Sequence, residues 1–437
     1  MKTTLPQAEA LTIAVRGYVH QPPKPQSTHG RKSPDQPSEW TLVFDTETTI
    51  DVSQQLRVGV YQVYQSDDLY AAGLISDPDS LTDSDRTLIK EYADEMGLQV
   101  KTAAEFVEDI FFGIGYDLRA SIIGFNLPFD LSRLAIDHCA ARGRSFRGGF
   151  SFQLSANKKR PRVQVKHLSS RAALIQFTAP PKQRSGRGMR RRKFKVGVNR
   201  GFFIDVKSIA AALTAKSHSL DSLSDFLKTP HRKEGRDDHG APITWEYLAY
   251  AFNDVLVTWE CFVELRRRYE QLGLTQTPLH KIYSEASLGK TYLKQMGIRP
   301  WRELQPDFPP ELIAAILSSY FGGRAEVRIR RELRQVLYCD FLSMYPTVCT
   351  LMGLWRFVIG QRLEWQDATA DVQGMLERIT MADLQNPAIW PDLTVLVKVQ
   401  LEADILPVRT RYDDSPSYTI GLNGLTSDTN GMDSSPN

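Results

Sequence analysis

Three short stretches of this sequence carry acidic side chains that could act together. In Phe44-Asp45-Thr46-Glu47-Thr48 a strand period of two puts Asp45 and Glu47 on one face. Two carboxylates facing the same way repel each other, and a divalent cation held through oxygen ligands is the natural counter-charge. A solvated strand end would need none. In Gly124-Phe-Asn126-Leu-Pro128-Phe-Asp130 an apolar strand ends and an acid enters the first turn of the next helix, where the helix dipole alone favours one. In Tyr250-Ala-Phe-Asn-Asp254 an i,i+4 spacing sets a phenol and a carboxylate on one helical face.

In that order, Asp-x-Glu, Asn-x-x-Phe-Asp and Tyr-x-x-x-Asp, the three stretches resemble the exonuclease motifs of the DEDD superfamily. The resemblance implies a ribonuclease H-like domain over 40–272, an α/β fold with a mixed sheet. It also implies that Asp45, Glu47, Asp130 and Asp254 hold two Mg²⁺ or Mn²⁺ ions. Water would be the nucleophile, oriented by Tyr250, and Asn126 would contact the terminal nucleotide. An ordinary tyrosine pKa near 10 makes Tyr250 a poor base, so positioning is its expected role. Asp205 ends another strand but matches none of the motifs and is left out of the ligand set.

A second resemblance lies downstream. Asp340-Phe341-Leu342-Ser343-Met344-Tyr345-Pro346 is similar to motif A of family B DNA polymerases, with methionine for a leucine. That implies a palm metal ligand at Asp340, backbone contacts to a deoxynucleotide triphosphate at Phe341, Leu342, Ser343 and Met344, and a gate against ribose at Tyr345. Tyr320-Phe321-Gly322-Gly323-Arg324 resembles the Tyr-x-Gly-Gly element that joins exonuclease and polymerase regions in the same family, a DNA-contacting segment. The lysine-bearing fingers motif and the second palm carboxylate are not found after Asp340. Tyr412-Asp413-Asp414 lacks flanking apolar strands and reads as a solvated turn. The expectation is therefore a C-terminally truncated chain, or one piece of a split polymerase, with a complete proofreading 3′→5′ exonuclease. One aspartate cannot clamp both ions of nucleotidyl transfer, so independent DNA synthesis is not expected. A non-catalytic DNA-binding remnant is the alternative. Expected partners are single-stranded 3′ ends and primer-template DNA, with deoxynucleotides only if another chain completes the palm.

The elements that must position these residues follow from periodicity. Strands are expected at 41–48, 56–64, 69–75, 121–126 and 202–206, and a hairpin at 162–166 and 172–178. Helices are expected at 101–113, from Pro128 to a stop at Gly143, at 220–227, and at 244–272 with Thr244 as cap. The expected order is an N-terminal segment and disordered linker over 1–39, with order beginning near Trp40, then the exonuclease domain over 40–272 and a connector over 273–335. The beginning of a polymerase palm follows over 336–412, then a disordered tail over 413–437.

Of 437 residues, 42% are apolar, enough for a large core in two or three domains. Four dispersed cysteines suggest neither a zinc site nor a disulfide framework, and no apolar run reaches a bilayer's width. A cytoplasmic protein without membrane contact is expected. The net charge of +3 implies no nucleic-acid partner by itself. The run Lys182, Arg184, Arg187, Arg190, Arg191, Arg192, Lys193 and Lys195 reads equally as a solvated loop or as a basic finger tracking a DNA strand. Phe150, Phe152 and Phe194 are the candidate stacking partners.

Overall fold

The computed structural model describes residues 14–20, 36–178, 201–233, 242–318, 332–398, 406–411 and 418–425. It divides into two compact units, His29–Gly297 and a second made of Met1–Thr28 with Ile298–Asn437. The basic run 182–195, the Tyr320–Arg324 element and Tyr412-Asp413-Asp414 lie outside the described residues.

The second unit contributes the first strand, β1 (Ala14–His20), in a stretch where order was expected to begin only near Trp40. Its Ala-Val-Arg-Gly-Tyr-Val-His alternation is that of a strand, and its partners come from the far end of the sequence, where local composition gives no hint of them.

In the first unit, β2 (Trp40–Thr48), β3 (Leu56–Gln65) and β4 (Asp68–Ser76) form an antiparallel meander. Helix α1 (Asp83–Met96) opens on a Thr82 capping box, and β5 (Gln99–Thr102) returns parallel to β4. Helix α2 starts as Ala103–Glu105 and continues as a π-helix over Phe106–Asp117. Strand β6 (Ser121–Gly124) then runs parallel to β2 and leads into α3 (Leu127–Arg133). Four antiparallel strands follow as a separate sheet: β7 (Asp137–Ala140), β8 (Phe150–Gln153), β9 (Val163–Ser169) and β10 (Ala172–Phe177). Strand β11 (Phe202–Asp205) joins the main sheet parallel to β6, giving the order β11-β6-β2-β3-β4-β5. Helices α4 (Val206–Thr214), α5 (Leu220–Leu227), α6 (Trp245–Gln271) and α7 (Glu285–Gln295) complete the unit.

The main sheet is covered on both faces, which is why β3 is buried at every position except Gln65. Alternation along β2 divides the core. Val43 packs with Val58, Val60, Ile123, Ile204 and the apolar side of α6. Leu42 and Phe44 point the other way, against Tyr61, Ile122 and the aromatic cluster Phe106, Phe111 and Phe112 of α2. The same alternation carries into the acidic end of the strand.

One expected element differs. The helical period from Pro128 was read up to Gly143, but α3 stops at Arg133 and residues 137–140 form β7. The Ile136 N–H donates to Gln153 O at 2.8 Å, and His138 pairs with Phe152. Pairing with a strand distant in sequence outweighs the local helical pattern. The helix expected at 101–113 begins two residues later, at the Thr102 capping box, because residues 99–102 extend the main sheet as β5.

In the second unit, α8 (Trp301–Leu304), α9 (Pro310–Ser318), α10 (Met344–Leu351) and α11 (Trp355–Ile359) precede β12 (Arg362–Asp367). Helix α12 (Thr369–Leu376) and β13 (Leu396–Val397) follow, and the sheet order is β12-β1-β13. Strands β14 (Leu406–Arg411) and β15 (Tyr418–Leu425) pair antiparallel, so β15 occupies part of the stretch expected to be a disordered tail. Its Tyr-Thr-Ile-Gly-Leu run is apolar enough at alternate positions to pair as a strand. No helix among the described residues is long and apolar enough to cross a membrane.

Candidate active site

The site forms where β2 leaves the core. Two glycines let the backbone pack tightly there. A Cβ on Gly59, which pairs with Thr46, would meet the Asp45 carbonyl at 2.9 Å. A Cβ on Gly124, at the end of β6, would meet Leu127 at 2.7 Å and the Phe44 carbonyl at 3.1 Å. Beyond them the strand alternation turns from apolar to acidic. Asp45 and Glu47 share the face of Val43, toward α6, while Thr46 points to the opposite face, toward α3.

Helix α6 brings Tyr247, Tyr250 and Asp254 to the first face, all buried. One oxygen each from Asp45, Glu47 and Asp254 lies within 4.8 Å of the others, and among the described residues this is the one group of three or more such ligands. Asp130, in the first turn of α3, stands apart from that trio. Its Oδ1 accepts from the Thr46 amide at 3.2 Å and the Thr46 hydroxyl at 2.7 Å, and its Oδ2 is buried with no hydrogen-bond partner. All four acids line one open cavity of about 550 Å³, with Asn126 and Tyr250.

Lys233 is the site residue that sequence reasoning missed. Its Nζ donates to Asp254 Oδ2 and, at 2.8 Å, to the Tyr250 hydroxyl. It comes from a run of mixed charge, His-Arg-Lys-Glu-Gly-Arg-Asp-Asp, which reads as a solvated loop, and no local pattern singles it out. Tyr247 was also missed, although it sits three residues before Tyr250 on the same helical face. Its hydroxyl donates to Glu47 Oε2 at 3.3 Å.

The electrostatics follow from burial and crowding. Burial raises the Asp45 carboxyl well above its ordinary range, and Asp130, Glu47 and Asp254 push it the same way against Lys233. Burial lifts Asp130 to about 8, although the Thr46 hydrogen bonds oppose the shift. Burial raises Tyr250 to about 12 despite the Lys233 hydrogen bond, so the phenol keeps its proton at neutral pH. Burial works against the Lys233 charge, but its pairing with Asp254 raises its pKa overall. Protons or cations are thus strongly favoured among these acids. A hard divalent ion fits the all-oxygen donor set of Asp45, Glu47 and Asp254, and Asp130 Oδ2 is buried nearby without a hydrogen-bond partner.

Asn126 turns at φ 74° ahead of α3. Asp205 is buried at the end of β11 and belongs to no ligand group among the described residues. In the second unit, Asp340 is exposed and likewise joins no such group. Phe341 is 79% and Leu342 91% exposed, Ser343 takes φ 58°, and Met344 and Tyr345 begin α10 with exposed side chains. Residues 332–341 pair with no other strand among the described residues. Tyr320, Gly322, Gly323 and Arg324 lie outside the described residues, as does Phe194. Phe150 and Phe152 stack at 6.1 Å on β8, and neither lines the acidic cavity.

No protein-family model matches this sequence, and no curated protein does. The structure is similar to a solved structure of Phi29 DNA polymerase complexed with single-stranded DNA, with a TM-score of 0.32 and 12% sequence identity. The match covers 65% of this chain and 40% of that one, so the chain spans well under two thirds of the polymerase's length. A likeness at that level carries no argument about function.

Proposed function

We propose that the unit His29–Gly297 is a metal-dependent 3′→5′ DNA exonuclease. The observation that carries this reading is the convergence of Asp45, Glu47 and Asp254 within 4.8 Å, beside a buried Asp130 with one oxygen still unpartnered. The order β4-β3-β2-β6-β11, with the middle strand of the meander antiparallel to its neighbours, supports a ribonuclease H-like domain. DNA as substrate and the 3′ end as starting point are inferred from the three-motif resemblance and from the polymerase-like stretch at Asp340.

Asp45, Glu47, Asp130 and Asp254 would hold two Mg²⁺ or Mn²⁺ ions, which when bound lower the pKa of water and neutralise charge on the scissile phosphate. The chain's own groups do the positioning. Thr46 fixes the Asp130 carboxylate by two hydrogen bonds to Oδ1, leaving Oδ2 without a hydrogen-bond partner on a residue that lines the cavity. Tyr250, protonated at neutral pH and accepting from Lys233, lines the cavity and would orient the attacking water. The Lys233 ammonium, between Tyr250 and Asp254, stands where it can meet negative charge growing on a phosphate oxygen. Asn126 faces the same cavity and is suited to hold the terminal nucleotide. Asp340 and the residues after it take no part, and no independent nucleotide polymerisation is proposed for them.

The test is degradation of a 5′-labelled single strand by the purified chain with Mg²⁺ or Mn²⁺. A ladder that shortens from the 3′ end, stops with chelator and disappears in Asp45→Ala is the expected result. Intact DNA with well-folded wild-type protein and either metal refutes the reading and leaves a DNA-binding protein without catalysis.

A further inference from the structure

Helix α3 carries Asp130 yet has only seven residues, too few to hold itself in place. It also begins irregularly. Asn126 sits in the left-handed region, φ 74° and ψ 43°, and its side chain makes no capping bond. The first amides of the helix therefore need an acceptor from elsewhere.

Asp205 is that acceptor. One carboxylate oxygen, Oδ1, accepts from the Asn126 N–H at 2.8 Å and the Leu127 N–H at 3.1 Å. The other, Oδ2, accepts from the Ser208 hydroxyl and, at 3.1 Å, from the Ser208 N–H, so that Asp205 caps α4. The Ser208 oxygen in turn accepts from the Ala173 N–H of β10 at 3.1 Å. A single carboxylate, 8% exposed, thus receives four donors and ties the β6–α3 turn to the β11–α4 junction, about 80 residues away in sequence.

We propose that Asp205 is a positioning residue of the nuclease site: it fixes the turn that sets where Asn126 and Asp130 stand, without touching metal or DNA. The inference rests on the metal-dependent nuclease reading above. It assigns Asp205 a place behind the ligands, where such partners orient the groups that bind the ion. Thr46 restrains Asp130 from one side and Asp205 restrains its helix from the other.

The experiment uses the full chain as wild type, Asp205→Asn and Ser208→Ala. It measures Mn²⁺ affinity by calorimetry, exchange of the Asn126 and Leu127 amides by NMR, and kcat and KM on single-stranded DNA. In wild type the two amides should exchange slowly with or without diamagnetic Mg²⁺. In folded Asp205→Asn they should exchange at least about tenfold faster, Mn²⁺ affinity should fall about tenfold, and kcat should drop more than KM changes. Ser208→Ala keeps both bonds to the turn, so its Mn²⁺ affinity should stay within about twofold of wild type. Wild-type affinity and kcat in folded Asp205→Asn, or a loss in Ser208→Ala as large as in Asp205→Asn, overturns the proposal. Should Asp205→Asn fail to fold, the wild-type amides decide: slow exchange upholds the restraint and loop-like exchange overturns it. A wild-type chain that neither binds Mn²⁺ nor cleaves DNA refutes the nuclease reading instead, and the same amides still report on Asp205.

Discussion

The chain contains two stretches where an apolar run leads to an aspartate, and their fates differ. At Phe44-Asp45 the strand lies between two layers of core, and the acid emerges into a cavity that carboxylates from two helices also line. At Phe341, which follows Asp340, the run has no partner strand among the described residues, and the aspartate joins no group. The two motifs are comparably clear in sequence. An aspartate becomes part of a site only when distant segments bring its partners, and among the described residues such partners surround Asp45 and not Asp340.

The largest effect expected from this contrast is catalytic. Asp45→Ala should cut the rate of 3′-end shortening by about 10³-fold or more, whereas Asp340→Ala should leave it unchanged. A loss in Asp340→Ala would break the comparison by tying the two regions to one activity. Stability should separate them as well. Phe44 is fully buried against Phe106 and Phe111, so Phe44→Ala should cost about 3–5 kcal/mol in denaturant unfolding. Leu337 is 90% exposed, and Leu337→Ala should stay within about 0.5 kcal/mol.

A smaller effect is expected at Lys233. The ammonium competes with a cation for the Asp254 carboxylate, so Lys233→Ala should bind Mn²⁺ somewhat more tightly while turning over about tenfold more slowly. If affinity and turnover fell together, Lys233 would be a structural support and not an electrostatic one.

The smallest concerns pH. Asp130 keeps its proton in the folded, metal-free protein up to about 8, while in the unfolded chain it loses it near 4. Between those values the folded state binds more protons than the unfolded one. Metal-free stability should therefore be greatest at the acid end of that window and decline as pH rises through it. Saturating Mn²⁺ should flatten or reverse the decline, because the ion takes the proton's place. Thermal unfolding across pH 4 to 8, with and without Mn²⁺, reads this directly, and a metal-free melting temperature that rises across the window would contradict it.

Much of the first unit was legible because its elements follow local rules. The strands around Asp45 alternate, α6 opens at Thr244 where its cap was expected, and Pro128 falls in the first turn of α3. The spacing of Tyr250 and Asp254 placed both on one face of α6, as the i,i+4 rule requires. What the sequence hid depends on contacts between distant segments. Lys233 meets Asp254 from a run that looks solvated, and the destination of the Asp205 carboxylate is a turn on another strand. The early end of α3 and the strand β1 were hidden for the same reason, since each is fixed by a partner that local periodicity does not announce.

The most direct test of the central claim is a count of Mn²⁺ ions bound to the full chain by electron paramagnetic resonance, in wild type and in an Asp45→Ala, Asp254→Ala double variant. The account predicts two ions close enough to couple magnetically in wild type and loss of that coupled signal in the variant. An uncoupled or absent signal in wild type, or a coupled pair that survives the double substitution, would contradict it.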